Sequence, residues 1–272
     1  MRHGSRQLRV LGRKSTLAAI AFLAVAAVAL GRLHPFGDPR QARVSAQQRD
    51  LANLLRNAGI PSQATAVLVA KCADCHSNAM RWPLYSRVAP ASWLVEHDVV
   101  EGRNRMNLST WDKLTPDARQ ALESKIVHET KMGDMPPLQY RAIHWGARLS
   151  PEDLQALSIL TRQDGAAEAG PLGAGDADRG EGIFERRCTG CHALDANHEG
   201  PHLRGVYGRK AGSVADFRYS TALRESKFTW NDTLINQWLT DPDAMLPGNN
   251  MDFSVVKASE RADLVAFLKQ LK

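Results

Sequence analysis

Cysteine is scarce in this chain: only four of its 272 residues are cysteine, and all four lie in two short motifs, so none is left for a structural disulfide. Signs of β-strands are also scarce: apolar and polar residues do not alternate with a period of two over the length of a strand. Apolar residues instead recur with helical spacing. The sequence therefore predicts an all-α fold on both sides of a Gly/Ala-rich stretch at 165–176, which is typical of a flexible linker.

Acidic residues are absent from the first 33 positions, which carry six basic ones: Arg2, Arg6, Arg9, Arg13, Lys14 and Arg32. These six account for the whole formal charge of +6, so the remainder of the chain is neutral. A basic surface for nucleic acid is not indicated, and no nucleic-acid partner is expected.

A long hydrophobic run is missing as well. The apolar stretch from Leu17 to Leu30 is short for a spanning helix and suits the hydrophobic region of a signal peptide. Ala27–Ala29 offers an A-x-A cleavage site, and an uncleaved anchor extended to Leu33 is the alternative. Residues 1–33 are therefore predicted to be a signal peptide or a membrane anchor. Positive charge before the run predicts a periplasmic protein, soluble or tethered to the inner membrane.

The two cysteine motifs both read C-x-x-C-H, at Cys72–His76 and Cys188–His192. Two cysteines at this spacing can reach the two vinyl groups on one edge of a porphyrin, and the next residue, His, then ligates the iron. The motifs predict two covalently bound haem c groups, one held by Cys72, Cys75 and His76, the other by Cys188, Cys191 and His192.

Paired cysteines have two other common roles, in redox sites and in zinc sites. A thioredoxin-like redox pair needs a surrounding βαβ pattern, which the sequence lacks. A zinc ribbon usually brings its two pairs within about twenty residues, whereas more than a hundred residues separate these. Both alternatives are disfavoured.

Several helices are predicted from periodicity and capping signals. They run from Ser45 to Ala58, from an N-cap at Ser62 into the first motif, from Thr115-Pro116 through Val127, and from Ser150-Pro151 through Leu160. Residues 77–111 are expected to be loop-rich, because Pro83, Pro90, Gly102 and Asn104 interrupt the periodic pattern. A short helical face with Trp93, Leu94 and His97 is expected within that stretch.

A thioether sulfur opposite His raises the potential of a haem into the range of an electron carrier. In the C-terminal part, Met251 is predicted to be this sixth ligand because it lies in a Gly turn after Pro247. Met245 precedes the turn and is more typical of a packing residue.

Residues 177–272 resemble class I cytochrome c, the mitochondrial and bacterial cytochrome c2-like group. The resemblance is carried by Gly180, Phe184, the second motif, Gly200–Lys210, Tyr219, Ser220, Trp230, Asp241, Pro242, Pro247–Met251 and Arg261–Leu268. It implies that Pro201 accepts a hydrogen bond from His192 and that Arg209, Tyr219 and Trp230 are propionate partners, although each of these three could instead only pack or be solvated. It also implies a crossing of the first and last helices at Gly180. The sequence departs from mitochondrial members at Leu223, where they usually carry Asn.

Residues from about 45 to 160 resemble the bacterial haem-binding domain of membrane-anchored and periplasmic c-type proteins, and the domain is predicted to span 34–164. The matching residues are Ser77, Asn78, Arg81–Pro83, Pro90, Ser92, Trp93, Glu101–Arg103, Asn107, Ser109, Trp111, Met135 and Pro136. Met135, before a Pro-Pro turn, is the predicted sixth ligand of the first haem. Met132, Met106, His97, His128, His144 and an open site remain alternatives, and Arg103 is either a propionate partner or part of a surface salt bridge.

Together these features predict a dihaem electron carrier of the bacterial envelope, without bond-making catalysis. Its expected partners are redox proteins, such as a membrane quinol-oxidising complex as donor and a terminal oxidase as acceptor, in a respiratory or photosynthetic chain. The alternatives are a dihaem peroxidase or small-substrate dehydrogenase, or a haem sensor. Each of these needs an open iron, for which only the first haem is a candidate.

Overall fold

The computed structural model describes residues 4–42, 50–162 and 172–271. Over these ranges the protein is helical, and its one β-type pairing is an isolated antiparallel bridge between Lys210 and Thr229. The prediction of an all-α fold is confirmed. The α-helices in chain order are α1 (Gly4–Leu30), α2 (Leu51–Asn57), α3 (Ser62–Val67), α4 (Ala73–His76), α5 (Ala91–Arg105), α6 (Pro116–Met132), α7 (Leu138–Ile143), α8 (Pro151–Ser158), α9 (Ala177–Arg187), α10 (Thr221–Glu225), α11 (Asp232–Thr240), α12 (Pro242–Met245) and α13 (Ala258–Gln270).

The described residues form two compact units that are discontinuous in sequence. The first unit takes its residues from 1–55 and 72–110, and the second from 56–71 and 111–272. The second unit thus contains α6 as well as α9–α13. Most of the predicted linker at 165–176 lies outside the described residues, as does the start of the helix predicted from Ser45.

Helix α1 exposes large apolar side chains along the predicted signal or anchor segment, such as Phe22 and Val25. Its C-terminal end is bonded to the rest of the first unit. The carbonyl of Ala27 accepts from the backbone N–H of Ala89 at 3.0 Å, and the carbonyl of Leu33 accepts from the Trp93 indole at 3.1 Å. Within the described ranges, no helix has the combined length and hydropathy needed to cross a membrane.

Two helix starts follow their predicted caps. The Thr115 hydroxyl accepts from the backbone N–H of Ala118 at the start of α6, and Ser150 and Asp153 form a reciprocal capping box at the start of α8. The predicted N-cap at Ser62 is wrong by one residue. Pro61 occupies the cap position, and its carbonyl accepts from the N–H of Thr65 at 2.9 Å.

Residues 91–105 form the 15-residue helix α5, so the expectation that the whole of 77–111 would be loop-rich is wrong there. The buried positions of α5 are Ser92, Glu96, Val99 and Gly102. This face is mostly small or polar, so hydrophobic periodicity does not reveal it.

The core of the second unit includes the crossing of α9 and α13 that the resemblance implies. Phe184 and Phe267 pack with ring centroids 5.4 Å apart, and Gly180 lies against the backbone of α13. Trp230, Trp238, Val255 and Leu264 belong to the same buried cluster. Phe184, Trp230, Trp238 and Leu264 also line a cavity inside the second unit.

Candidate haem sites

A cavity of about 470 Å³ opens inside the second unit, a size within the range of ligand and cofactor pockets. Cys188, Cys191 and His192 line it, and Met251 lines it as well. The structure therefore brings together two thiols, an imidazole and a thioether, which are the donor types that attach and ligate a c-type haem. Met245 does not line this cavity and instead packs against the hydrophobic cluster.

The imidazole of His192 is held by its Nδ1 atom. Nδ1 lies 2.8 Å from the carbonyl oxygen of Pro201, to which it donates, so Nε2 keeps a free lone pair. Burial lowers the pKa of His192, which favours the neutral form that binds a metal. A Cβ added at Gly200 would lie 2.2 Å from Cε1 of this ring, so only glycine fits beside it.

Both thiols of the second motif are held in the neutral form. Burial raises the pKa of Cys188 to about 12 and that of Cys191 to about 11. A redox dithiol needs a lowered pKa and partial exposure, so this environment does not suit the thioredoxin-like alternative.

The sulfur of Met251 faces the indole of Trp238. Nε1 of Trp238 donates to Sδ at 2.8 Å. On the backbone, the N–H of Met251 donates to the side chain of fully buried Asn249 at 2.6 Å. The sequence does not indicate either contact: Trp238 belongs to no local motif, and Asn249 is part of the matching run Pro247–Met251 without a predicted partner.

The residues that the resemblance assigned to the propionates also line the cavity: Arg209, Tyr219 and Trp230. Arg209 donates to the carbonyls of His202 and Arg204, at 2.8 and 3.2 Å. Burial raises the pKa of Tyr219, so its hydroxyl remains a donor at neutral pH. Arg209, Tyr219 and Trp230 thus bring N–H and O–H donors to a largely apolar cavity. Leu223, the departure noted in the sequence, lines it too.

The first motif, in the first unit, follows the same plan. His76 Nδ1 lies 2.9 Å from the carbonyl of Gly102 and 3.2 Å from that of Met106. Burial lowers the pKa of His76 and, with Asp98 and Asp74 adding to the effect, raises that of Cys75 to about 11. A Cβ at Gly102 would come within 2.9 Å of the Cys75 carbonyl, so α5 approaches the motif as closely as a glycine permits.

Arg103 is placed in a way that fits a propionate. Its Nε donates to the Ser77 carbonyl at 2.9 Å and its Nη1 to the Pro39 carbonyl at 2.7 Å. Its Nη2 is buried without a hydrogen-bond partner among the described residues. An orphaned guanidinium N–H beside the motif is the kind of donor that a buried propionate requires.

The candidates for the sixth ligand of the first haem belong to both units: Met106 and His97 to the first, and Met135, Met132, His128 and His144 to the second. Met135 follows α6, and its N–H donates to the Glu129 carbonyl at 3.2 Å. Among the alternatives, His97 is exposed, the ring of His144 stacks on Tyr140, and Met132 and His128 line the cavity of the second unit.

The donor sets and their geometry define a c-type cytochrome. A family model for a haem-binding domain matches residues 34–163, and a family model for cytochrome c matches residues 177–272. Cytochrome c of Chlamydomonas reinhardtii is 43% identical over 101 residues, which are 36% of this chain and 90% of the relative. Cytochrome c2 of Blastochloris viridis is 38% identical over 109 residues, 39% of this chain and 85% of the relative. Among solved structures, cytochrome cH from Methylobacterium extorquens is 41% identical, covering 35% of this chain and 98% of that one with a TM-score of 0.34.

The chain belongs to the cytochrome c family through its C-terminal part and carries a haem-binding domain before it. Members of that family bind haem c covalently and carry electrons.

Proposed function

We propose that this protein is a dihaem c-type cytochrome that carries single electrons in a bacterial envelope. The observation that supports this best is the repeated arrangement of the two motifs. In each, a C-x-x-C pair is followed by a buried His whose Nδ1 is bonded to a backbone carbonyl, at 2.8 Å for His192 and 2.9 Å for His76. Each imidazole is thereby oriented with Nε2 available for iron.

The proposed attachment residues are Cys72 and Cys75 for the first haem, and Cys188 and Cys191 for the second. When bound, haem iron supplies a one-electron couple between its ferric and ferrous states. His76 and Met135 would hold the first iron and His192 and Met251 the second, where apolar side chains of the cavity would exclude water. Pro201 orients His192, and Arg209, Tyr219 and Trp230 are the proposed propionate partners of the second haem.

The proposed domain plan has a signal or anchor segment at 1–33, a haem-binding domain at 34–164, a linker at 165–176 and a cytochrome c domain at 177–272. The basic start and apolar run support export, and the relatives of the C-terminal part include a cytochrome c and a cytochrome c2. We place the protein between a membrane quinol-oxidising complex and a terminal oxidase or similar acceptor. The mass of the mature protein shows whether the N-terminal segment has been cleaved. The fraction of the protein that is bound to membranes shows whether the protein is tethered.

The test begins with the number of haems. Intact mass and a haemochrome assay of the exported protein should give two covalent haems. The double variants Cys72→Ala/Cys75→Ala and Cys188→Ala/Cys191→Ala should each give one. Fewer than two haems in the unaltered protein would overturn the proposal.

The sixth ligands decide between carrier and enzyme. Met251→Leu and Met135→Leu should each remove a far-red sulfur-to-iron band and open one haem to carbon monoxide, whereas the controls Met245→Leu and Met132→Leu should not. Rapid carbon monoxide binding by the unaltered protein would instead favour a peroxidase, a dehydrogenase or a sensor that uses the open haem.

A further inference from the structure

Helix α6 lies along the segment that carries Met251. Three polar side chains on one face of α6 each donate to a backbone carbonyl of that segment. Gln120 Nε2 reaches the Ser254 oxygen at 2.8 Å, Ser124 Oγ reaches that of Asp252 at 2.7 Å, and His128 Nδ1 reaches that of Asn250 at 2.9 Å. The bonds follow a regular register, since each step of four residues along the helix matches a step of two along the segment in the opposite direction.

This register has a geometric basis. Residues four apart share one face of an α-helix and are separated by about 6 Å along its axis. Residues two apart in an extended backbone are separated by about 6.6 Å, and their carbonyls point to the same side of the chain. One helix face can therefore bond every second carbonyl of a chain that runs antiparallel to it, as α6 does here.

Two of the three bonds flank Met251 directly. Ser124 donates to the carbonyl of Asp252, the residue after Met251. His128 donates to the carbonyl of Asn250, the residue before Met251. At the end of the same helix, Lys131 Nζ lies 3.1 Å from a side-chain oxygen of Asp252 and 3.2 Å from the carbonyl of Asn249. Withdrawal of Met251 from its position would displace both neighbours and break these bonds.

Helix α6 is anchored to the rest of the second unit independently of that segment. Lys125 forms an ion pair with Glu199 at 2.5 Å, and Asp117 pairs with Arg186 at 3.1 Å. Arg187 bonds the side chain of Gln120 and, at 2.6 Å, that of Glu260. The helix is therefore held near its start, at Asp117 and Gln120, and in its middle, at Lys125 between Ser124 and His128, and can act as a fixed template.

We infer that α6 is an internal clamp that holds the Met251 segment closed, with Ser124 and His128 as positioning residues for the axial sulfur of the second haem. The helix belongs to the region matched by the haem-binding domain model, whereas Met251 belongs to the cytochrome c match. A helix of the haem-binding domain match thus positions the predicted sixth ligand, Met251, of the cytochrome c match. The inference rests on the proposed role of Met251.

The test uses the full-length holoprotein with the variants Ser124→Ala and His128→Leu, singly and combined. Hydrogen exchange of the amides in 249–254, followed by mass spectrometry, reports opening of the segment. Loss of one hydrogen bond changes an opening equilibrium by about fivefold, so we expect exchange to rise about fivefold in each single variant and about 25-fold in the double variant. Imidazole, which competes with the methionine sulfur for ferric iron, should bind the second haem more tightly by similar factors.

Two controls separate the clamp from general destabilisation. Ser158→Ala removes a hydroxyl that donates to the Gln155 carbonyl within α8, at 2.8 Å, and should leave the Met251 segment unchanged. His128→Asn keeps an N–H donor near the position of Nδ1 and should restore slow exchange. Exchange in α13 should not change in any variant.

The clamp is disproved if the double variant exchanges its 249–254 amides within twofold of the parent, or if Ser158→Ala has the same effect. Should the double variant fail to fold, the comparison of His128→Asn with His128→Leu decides in the same way. A failure of the ligand assignment is distinguishable. In that case Met251→Leu would leave the far-red band intact, while exchange of the segment would still respond to Ser124→Ala and His128→Leu.

Discussion

Gly180 in α9 lies directly against the backbone carbonyl of Asp263 in α13: a Cβ at Gly180 would be 2.1 Å from that oxygen. Because backbone cannot move aside as a side chain can, Gly180→Ala must separate the two helices. We expect it to reduce the free energy of unfolding by about 1–3 kcal/mol, the usual effect of overpacking. Thermal unfolding measures this change.

Gly182 in the same helix provides the matched control. A Cβ there would meet only the end of the flexible Arg186 side chain, at 3.2 Å. Alanine is favoured over glycine in a helix by roughly 0.5–1 kcal/mol, so Gly182→Ala should be neutral or slightly stabilising. Equal loss of stability in both variants would contradict the close crossing.

Gly200 and His192 form a second close approach, with only 2.2 Å between a Cβ at Gly200 and the imidazole. Gly200→Ala should push the ring from its bond with Pro201, alter the absorption spectrum of the second haem and destabilise the fold by about 1–3 kcal/mol. Gly190→Ala is the control, because a Cβ there meets nothing within 4 Å. A spectrum unchanged by Gly200→Ala would refute the proposed fit of His192.

Trp238 donates to the sulfur of Met251, and a donor on sulfur withdraws electron density from it. Trp238→Phe should therefore lower the reduction potential of the second haem. A hydrogen bond worth about 1 kcal/mol corresponds to about 40 mV for one electron, which sets the scale of the shift. Potentiometric titration should show no such shift for Trp145→Phe, a largely exposed indole. An unchanged or raised potential in Trp238→Phe would rule out this role.

Asp263 makes the stability of the second unit depend on pH. Hydrogen bonds from Arg179, at 2.9 Å to each carboxylate oxygen, hold the pKa of Asp263 below its ordinary value of 3.8. The ionised form is favoured by folding, so its stabilisation is present above that value and disappears as the pH falls through the lowered pKa. Asp263→Asn should lower the melting temperature at pH 7, and the difference from the parent should shrink below pH 3.8 and vanish only once the pH is below the lowered pKa.

The exposed acid Glu181, on the same helix as Arg179, serves as the comparison for Asp263. Glu181→Gln should show no comparable loss at pH 7. A constant difference between Asp263→Asn and the parent from pH 7 to pH 2 would mean that packing, rather than charge, accounts for its effect.

Local patterns predicted the local structure well. The caps at Thr115 and Ser150 were readable because a capping residue and its partner lie within four positions of each other. In α5 the sequence indicated helix only around Trp93, Leu94 and His97, and neither the length of the helix nor its buried face was readable. Its buried face contains Glu96, fully buried and bonded to Arg40 at 2.7 Å and to His34 at 2.8 Å, and these partners lie more than fifty positions away.

By itself, the sequence determined the attachment chemistry and the helical class, because five contiguous residues encode each C-x-x-C-H motif and periodicity encodes each amphipathic helix. Only the tertiary structure decided that Met251 shares a cavity with His192, that Gly200 must be glycine, and that α6 holds the Met251 segment. The first depends on the lining of a cavity, the second on the space beside an imidazole ring, and the third on bonds to backbone carbonyls, which every residue has. The order of side chains along the chain therefore does not predict these three relationships.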